Sequence, residues 1–309
     1  MKIVVAGASG LIGRRLSKAL VGSGHALISL TTGTIAPGAK PDPLFKRVQW
    51  DGRTVGEWRH HLEGSSVVIN LSGQSLSSGR WTAARKQVLI ASRLNSTRAL
   101  VEAMRTQKEK PSVFINASAV GYYGPVAFGE VAEDHPAGSD FLAMLCAQWE
   151  KEALAASYLG VRTVVVRSGV VLDTEGGALQ RLLLPFRFFV GGPLGNGAQW
   201  MPWIHREDQV RAILHAIDEA RISGPVNLVA PDAVTMAEFS KALGRVLHRP
   251  SLVTVPAFVL RALLGEMASV VLTGQRAIPQ KLIQSGFRFL HPTLPEALSS
   301  LLTPPSPSN

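Results

Sequence analysis

The stretch that most constrains this chain runs from Lys2 to Leu20. Lys2-Ile3-Val4-Val5-Ala6 is a β-branched run of the kind that forms a buried strand. Gly7-Ala8-Ser9-Gly10-Leu11-Ile12-Gly13 follows directly, and Leu11, Ile12, Leu16, Ala19 and Leu20 then recur at helical spacing. A strand, a glycine turn and a helix in that order suit the pyrophosphate of a dinucleotide. Gly7 permits a tight turn, Gly10 lets the main chain approach the phosphates, and Gly13 lets the helix pack closely on the strand. The helix N-terminus meets the anion with free N–H groups and the positive end of its dipole. The bland alternative, a glycine-rich turn without a ligand, does not explain why the correct strand precedes the turn and the correct helix follows it. Gly7, Ser9, Gly10, Leu11, Ile12 and Gly13 are therefore the expected phosphate cradle.

Four more apolar runs read as buried strands: His25–Leu30, Ser66–Leu71, Ser112–Asn116 and Val161–Val166. Helical segments separate them, which implies the α/β class with a doubly wound parallel sheet. Ligands of such a sheet lie beyond the carboxyl ends of the strands. The second strand ends in Thr31-Thr32-Gly33, with no acid to hold ribose hydroxyls and repel a 2′-phosphate. NADP(H) is accordingly the preferred cofactor and NAD(H) the alternative, with Lys40, Lys46, Arg14 and Arg15 as bases available to the phosphate. The small-residue turn Leu71-Ser72-Gly73 and Val170 complete the expected cofactor contacts. Arg93 joins them from a long helix spanning Trp81 to Gln107. Its apolar stripe is Ile90, Leu94, Thr97, Val101 and Met104, and Arg93 stands off that stripe. Ser118, Tyr122 and Tyr123 carry the hydroxyls suited to proton transfer beyond the next strand, although the two tyrosines could equally pack under a loop.

The later chain is less regular. Trp200 and Trp203 either wall a pocket or close one layer on another, and His205 has no acid-and-hydroxyl constellation around it. No metal-ligand spacing is present, so no metal is expected. Residues 1–172, joined by 205–230, read as the dinucleotide-binding domain. Residues 173–204 and 231–300 read as a smaller, mainly helical substrate region, and 301–309 as a disordered tail.

Charge and composition limit the partners. The chain is 309 residues long, with 32 Lys+Arg against 22 Asp+Glu, a net charge of +10. Its bases are scattered: the dense group Arg105–Lys110 contains Glu109 and reads as a solvated helix end, so no nucleic-acid partner is expected. The most apolar late stretch, Val253–Leu272, is broken by Arg261 and Glu266, so no membrane partner is expected either. Cys146 is the one cysteine, which excludes an internal disulfide and fits a reducing, cytoplasmic setting. The expected partner is a small-molecule substrate; oligomeric state is left open.

The motifs GASGLIG (7–13), VINLSG (68–73), ASAVGYYG (117–124), RSGVVL (167–172) and WIHREDQV (203–210) together resemble the extended short-chain dehydrogenase/reductases, the nucleotide-sugar epimerase and dehydratase superfamily. RWTAARKQVLIASR (80–93), LLPFRFFVGGPLGNGAQWMPWIH (183–205) and LTGQRAIPQKLIQSGFRF (272–289) are similar to a subgroup called epimerase family proteins, also described as cell-division-inhibitor-like. The resemblance covers residues 1 to 300. It implies a cofactor domain binding NADP(H) or NAD(H), and catalysis by a Ser or Thr with a Tyr and a Lys four residues apart on one helix. In that pattern the tyrosine is the acid/base, and the lysine lowers its pKa and holds the nicotinamide ribose. Ser118 matches the hydroxyl, but Leu142 and Cys146 stand where the tyrosine and lysine belong. The resemblance thus implies an oxidoreductase or epimerase with another proton donor, Tyr122 or Tyr123, or else an NADP(H)-binding regulatory protein without turnover.

Overall fold

The computed structural model describes residues 1–35 and 42–303. Lys40 and the tail from residue 304 lie outside the described residues. β1 (Lys2–Ala6), α1 (Leu11–Gly22), β2 (Ala26–Thr31), β3 (Phe45–Gln49) and β4 (Val67–Asn70) lead to the long helix α2 (Ala83–Arg105). β5 (Val113–Ala119), β6 (Glu130–Val131), α3 (Phe141–Leu154), β7 (Arg162–Ser168) and β8 (Val170–Leu172) follow. Next come α4 (Gly177–Arg187), β9 (Trp200–Met201), β10 (Trp203–His205), α5 (Arg206–Asp218), β11 (Gly224–Leu228), β12 (Val234–Thr235) and α6 (Met236–Leu247). The chain closes with α7 (Ala257–Leu264), α8 (Ser269–Leu272), β13 (Arg276–Ala277), α9 (Gln280–Gln284) and α10 (Leu294–Leu302).

The expected doubly wound α/β fold is present. Seven strands form one sheet in the order β3-β2-β1-β4-β5-β7-β11, each pair parallel. The strand order reverses between β1 and β4, which opens a crevice at their carboxyl ends. Alternation along β1 builds both layers. Ile3 and Val5 join Leu16 and Leu20 of α1 and Ile213 of α5 on one face. Val4 and Ala6 join Leu100 and Met104 of α2 and Ala153 of α3 on the other. A third core unites α4, α6 and α10 through Leu183, Phe186, Phe239, Leu243 and Leu298 in a C-terminal lobe, with Trp203 inside it. Trp203 is core rather than pocket wall, and its Nε1 donates to the Asp232 carbonyl at 2.8 Å.

Two expectations are corrected. The buried face of α2 includes Leu89, Arg93, Ser96 and Thr97, so Arg93 lies on the inward face and not beside it. The cause is α3: Trp149 Nε1 donates to Thr97 Oγ1 at 2.8 Å, and this half of α2 faces a polar and aromatic neighbour. Residues 301 and 302 belong to α10, so a tail cannot start at 301. Among the described residues no helix is long and apolar enough to cross a membrane.

The lobe is tied to the sheet domain at several places, two of which differ in character. Asp173, fully buried, accepts from Arg15 Nε of α1 at 2.7 Å, Arg206 Nη1 of α5 at 3.1 Å and the Glu175 N–H at 2.9 Å. Across the cleft mouth the contacts are exposed: Arg80 donates to the carbonyls of Ala262 and Leu263, and Arg181 to that of Ser77.

Candidate cofactor and active site

The glycine turn fits between two strand ends because it lacks side chains. Gly7 has φ +84°, and a Cβ there would stand 2.6 Å from the Leu71 carbonyl carbon and 2.8 Å from Ser72 N. A Cβ on Gly13 would stand 2.1 Å from the Gly7 oxygen. Gly10 differs: it N-caps α1 without a side-chain cap, and a Cβ there would find the Gly7 oxygen at 3.3 Å. The turn is closed toward the sheet and open above Gly10, where Ser9 is exposed and Leu11 and Ile12 begin the helix half-buried. Leu11 packs under Gly176 and Gly177, the entry to α4, and Val170 on β8 pairs with Trp203.

Beyond the ends of β2 and β3 lies a cavity of about 470 Å³, lined by Thr32, Gln49, Trp50, Asp51, Thr54 and Trp58 among others. Over residues 33–64 the sequence reads as a loop region with one short strand (Lys46–Trp50) and a short helix near Trp58. Both are present, as β3 and a 3-10 turn over Glu57–His61, but the cavity they frame is not legible in the sequence. The Asp51 carboxylate is folded onto its own loop. It accepts from the Thr54 Oγ1 at 2.6 Å and from the N–H groups of Arg53 and Thr54, which hold it below the usual carboxylate range. Thr31 Oγ1 accepts from the Gly33 N–H at 3.1 Å. Among the bases, Arg15 is held by Asp173 and Glu175, and Lys46 is exposed on β3. Arg14 is exposed on α1 and donates to the Ser9 carbonyl at 3.1 Å, directly on the glycine turn.

The turn after β4 is built from beneath. Asn70 and Asn116 face each other in register, and Asn70 Nδ2 donates to Asn116 Oδ1 at 2.8 Å and Thr97 Oγ1 at 2.9 Å. Asn70 Oδ1 accepts from the N–H of Ser72 at 3.1 Å and from its hydroxyl. Sequence reasoning missed this pair too; an asparagine at the same place in two Val/Ile-rich strands was the signal, since Asn is a poor strand former. Arg93 lies over this turn: a Cβ on Gly73 would be 3.3 Å from its Cγ and Cζ. Its Nη1 and Nη2 donate to the carbonyls of Leu89 and Gln74 at 3.1 and 3.0 Å, and Cζ sits 5.3 Å from the Trp149 ring centroid. Burial pulls its pKa down, and no carboxylate pairs with it among the described residues. It is a desolvated cation aimed along the Ser72-Gly73 turn.

The three candidate hydroxyls have different surroundings. Ser118 is buried and donates to Glu150 Oε1 at 2.6 Å. Glu150 also accepts Arg167 Nε at 2.9 Å and Nη2 at 2.8 Å, and Arg167 Nη1 donates to Tyr123 Oη at 2.9 Å. Tyr123 Oη donates to Asn227 Oδ1 at 2.6 Å, and burial pushes this phenol up to about 12. The Arg167–Glu150 pair, with both side chains almost fully buried, escaped sequence reasoning because its members come from separate elements. Tyr122 is half-buried with Arg167 Cζ 3.5 Å from its ring centroid, and its hydroxyl has no hydrogen bond among the described residues. Leu142, in the first turn of α3, lies 3.4 Å from where a Gly121 Cβ would be. Cys146, one turn later, is buried beside Ser118, and burial pushes its thiol up to about 12. Neither side chain supplies a mobile proton or a fixed positive charge.

His205, Glu207 and His291 come together, with potential ligand atoms within 4.8 Å of one another, a grouping invisible in the spacing. His205 is already engaged, however. Its Nδ1 accepts from the Glu207 N–H at 3.1 Å as the N-cap of α5, its Nε2 is 3.2 Å from Ser300 Oγ, and its ring centroid lies 3.7 Å from that of His291 with the planes tilted by 46°. A cation would have to displace the cap, so the donor set does not fit a metal.

Residues 3–228 match the NAD dependent epimerase/dehydratase family, and residues 255–301 match a domain of unknown function (DUF1731). The epimerase family protein YfhF of Bacillus subtilis (strain 168) is 41% identical over 305 residues, 98% of each chain. The epimerase family protein ML0860 of Mycobacterium leprae (strain TN) is 42% identical over 305 residues, 98% of this chain and 96% of that one. The crystal structure of human epimerase family protein SDR39U1 (isoform2) with NADPH superposes with a TM-score of 0.86 at 32% identity, over 97% of this chain and 99% of that one. The cell-division description finds no support in these relatives. The match of sequence and fold over nearly its whole length places the chain in the NAD dependent epimerase/dehydratase family, the extended short-chain dehydrogenase/reductases.

Proposed function

We propose that this protein binds NADP(H) across the β1–β4 crevice and acts as an oxidoreductase or epimerase-like enzyme on a small molecule, without the tyrosine–lysine relay. The carrying observation is the pair of closed positions, Gly7 and Gly13, beneath an open Gly10, a cradle that a side chain would fill. The NADPH bound by the human relative supports the choice of cofactor. In this reading Gly7, Ser9, Gly10 and the amides of Leu11, Ile12 and Gly13 hold the pyrophosphate. The adenosine half lies toward Thr31, Thr32 and the cavity beyond β3, with Arg14 near its 2′-phosphate. Leu71, Ser72, Gly73, Arg93 and Val170 serve the nicotinamide half. NAD(H) is accepted more weakly, because Asp51 is turned onto its own loop and Arg14 has no phosphate to meet.

When bound, the cofactor supplies a hydride donor or acceptor; the chain's own residues orient it and provide the proton. Of the three hydroxyls, Tyr122 is the proton donor in this reading, since Ser118 and Tyr123 are committed to Glu150 and Asn227. Tryptophan fluorescence titration should give tighter binding of NADPH than of NADH; equal or reversed affinities overturn the cofactor assignment. Reduction of a panel of carbonyl compounds should collapse in Tyr122→Phe and survive in Tyr123→Phe. A second reading, a non-catalytic NADP(H)-binding regulator, is favoured by Ser118 pointing into the interior and by Leu142 and Cys146. A tight NADPH complex with no turnover on alcohols, carbonyls and nucleotide sugars would decide for it.

A further inference from the structure

The C-terminal lobe carries an apolar tip that the cofactor site does not use. Where α4 ends, Phe188, Phe189 and Val190 are 70%, 56% and 50% exposed, and Leu184 adds to them one turn earlier on the same face. The segment beside them contributes Leu252, 83% exposed: the Val253 N–H donates to the Gly191 carbonyl at 3.1 Å, and that of Val255 to Pro193 at 3.0 Å. Phe189 is held in the left-handed region at φ +62°, a conformation a non-glycine residue adopts at a cost. Arg249 lies over its ring at 4.3 Å, and Arg187 is exposed beside Phe188. The two segments that build the tip are free of acids: residues 176–204 carry two arginines, and residues 239–265 carry Lys241 and three arginines, with no Asp or Glu in either.

We propose that this tip docks on an anionic lipid bilayer, with Phe188, Phe189 and Leu252 entering the headgroup layer and Arg187 and Arg249 meeting lipid phosphates. Three features select this occupant. Side chains this exposed project from the surface, whereas a groove for a peptide would shelter them. A second copy docking by the same face would bring cationic segments together, which disfavours a symmetric contact. Aromatic tips flanked by arginines match an interface that is apolar below and negatively charged above. The expectation of no membrane partner rested on hydropathy along the chain, which detects spanning helices. A surface assembled from two distant segments is invisible to it.

The test is flotation of the full-length protein with vesicles of phosphatidylcholine alone or mixed with phosphatidylglycerol. Binding is expected only to the anionic vesicles and should weaken with salt. Phe189→Gly is the informative variant: it removes the ring and relieves the left-handed backbone, so melting temperature should hold or rise while vesicle binding falls about tenfold or more. Arg187→Gln and Arg249→Gln should each lower binding about fivefold. NADPH affinity should be unchanged in all three, so failure of this proposal is distinguishable from failure of the cofactor reading. No binding to anionic vesicles, or equal binding by wild type and Phe189→Gly, overturns it. So does concentration-dependent self-association abolished by the same substitutions, which would assign the tip to a second copy.

Discussion

Gly7 and Leu71 are in contact through their main chains: a single added methyl on Gly7 would lie 2.6 Å from the Leu71 carbonyl carbon. The turn after β1 and the turn after β4 therefore form one surface, and the crevice between them is made of backbone before any side chain contributes.

The three glycines of that turn should separate into two classes. Gly13→Ala places a carbon 2.1 Å from the Gly7 oxygen and should destabilise the fold by roughly 2–4 kcal/mol, as overpacking and strain do. Gly10→Ala meets its nearest neighbour at 3.3 Å and should fold nearly as the parent does, yet lose NADPH binding. Thermal melting and fluorescence titration of the two variants check the distinction; tight NADPH binding by Gly10→Ala would contradict the cradle.

Arginines 14 and 93 should fail differently. Arg14→Ala should weaken NADPH and leave NADH unchanged, because only the former offers a 2′-phosphate. Arg93→Ala should weaken both by about tenfold or more, the loss expected for a charge-assisted hydrogen bond. Titrations of both cofactors against both variants are the measurement, and an unchanged Arg93→Ala affinity removes Arg93 from the site.

Glu150→Gln should destabilise strongly, by about 3–5 kcal/mol, because it strands Arg167 in the interior. Ser118→Ala removes one of three donors to the same carboxylate and should cost about 1–3 kcal/mol. Urea unfolding of the two variants measures both; a smaller loss in Glu150→Gln than in Ser118→Ala would contradict the network.

His205 should make stability depend on pH. Burial, with help from His291, pulls its imidazole down to about 3. The unfolded chain takes up this proton near pH 6.5, well before the folded one does, so stability is complete above that pH and is lost as pH falls toward about 3. The slope from this group is at most about 1.4 kcal/mol per pH unit. Urea unfolding between pH 4 and 7 should show a shallower dependence in His205→Asn, which retains a capping side chain.

The parallel sheet and the glycine cradle were legible because both are local: strand run, turn and helix are adjacent in sequence and each residue type has one backbone use. Arg93 was misread as to face, since α2 packs there on Trp149 and an apolar stripe is the wrong guide. Asn70 with Asn116, and Arg167 with Glu150, were not legible, because each residue acquires meaning only from a partner on another element. The same holds for His205 with His291 and for the apolar tip of the lobe.

Asp173 is one of the ties that resist opening of the cleft. Swinging the lobe away as a rigid body would pull Arg15 and Arg206 off a carboxylate that has no contact with water, a loss on the order of 3–5 kcal/mol. The exposed bonds of Arg80 and Arg181 across the mouth leave no buried charge behind when they break, because water replaces the lost partner. Of these two sets of contacts, the exposed ones at the mouth can break while the buried carboxylate keeps both of its arginines.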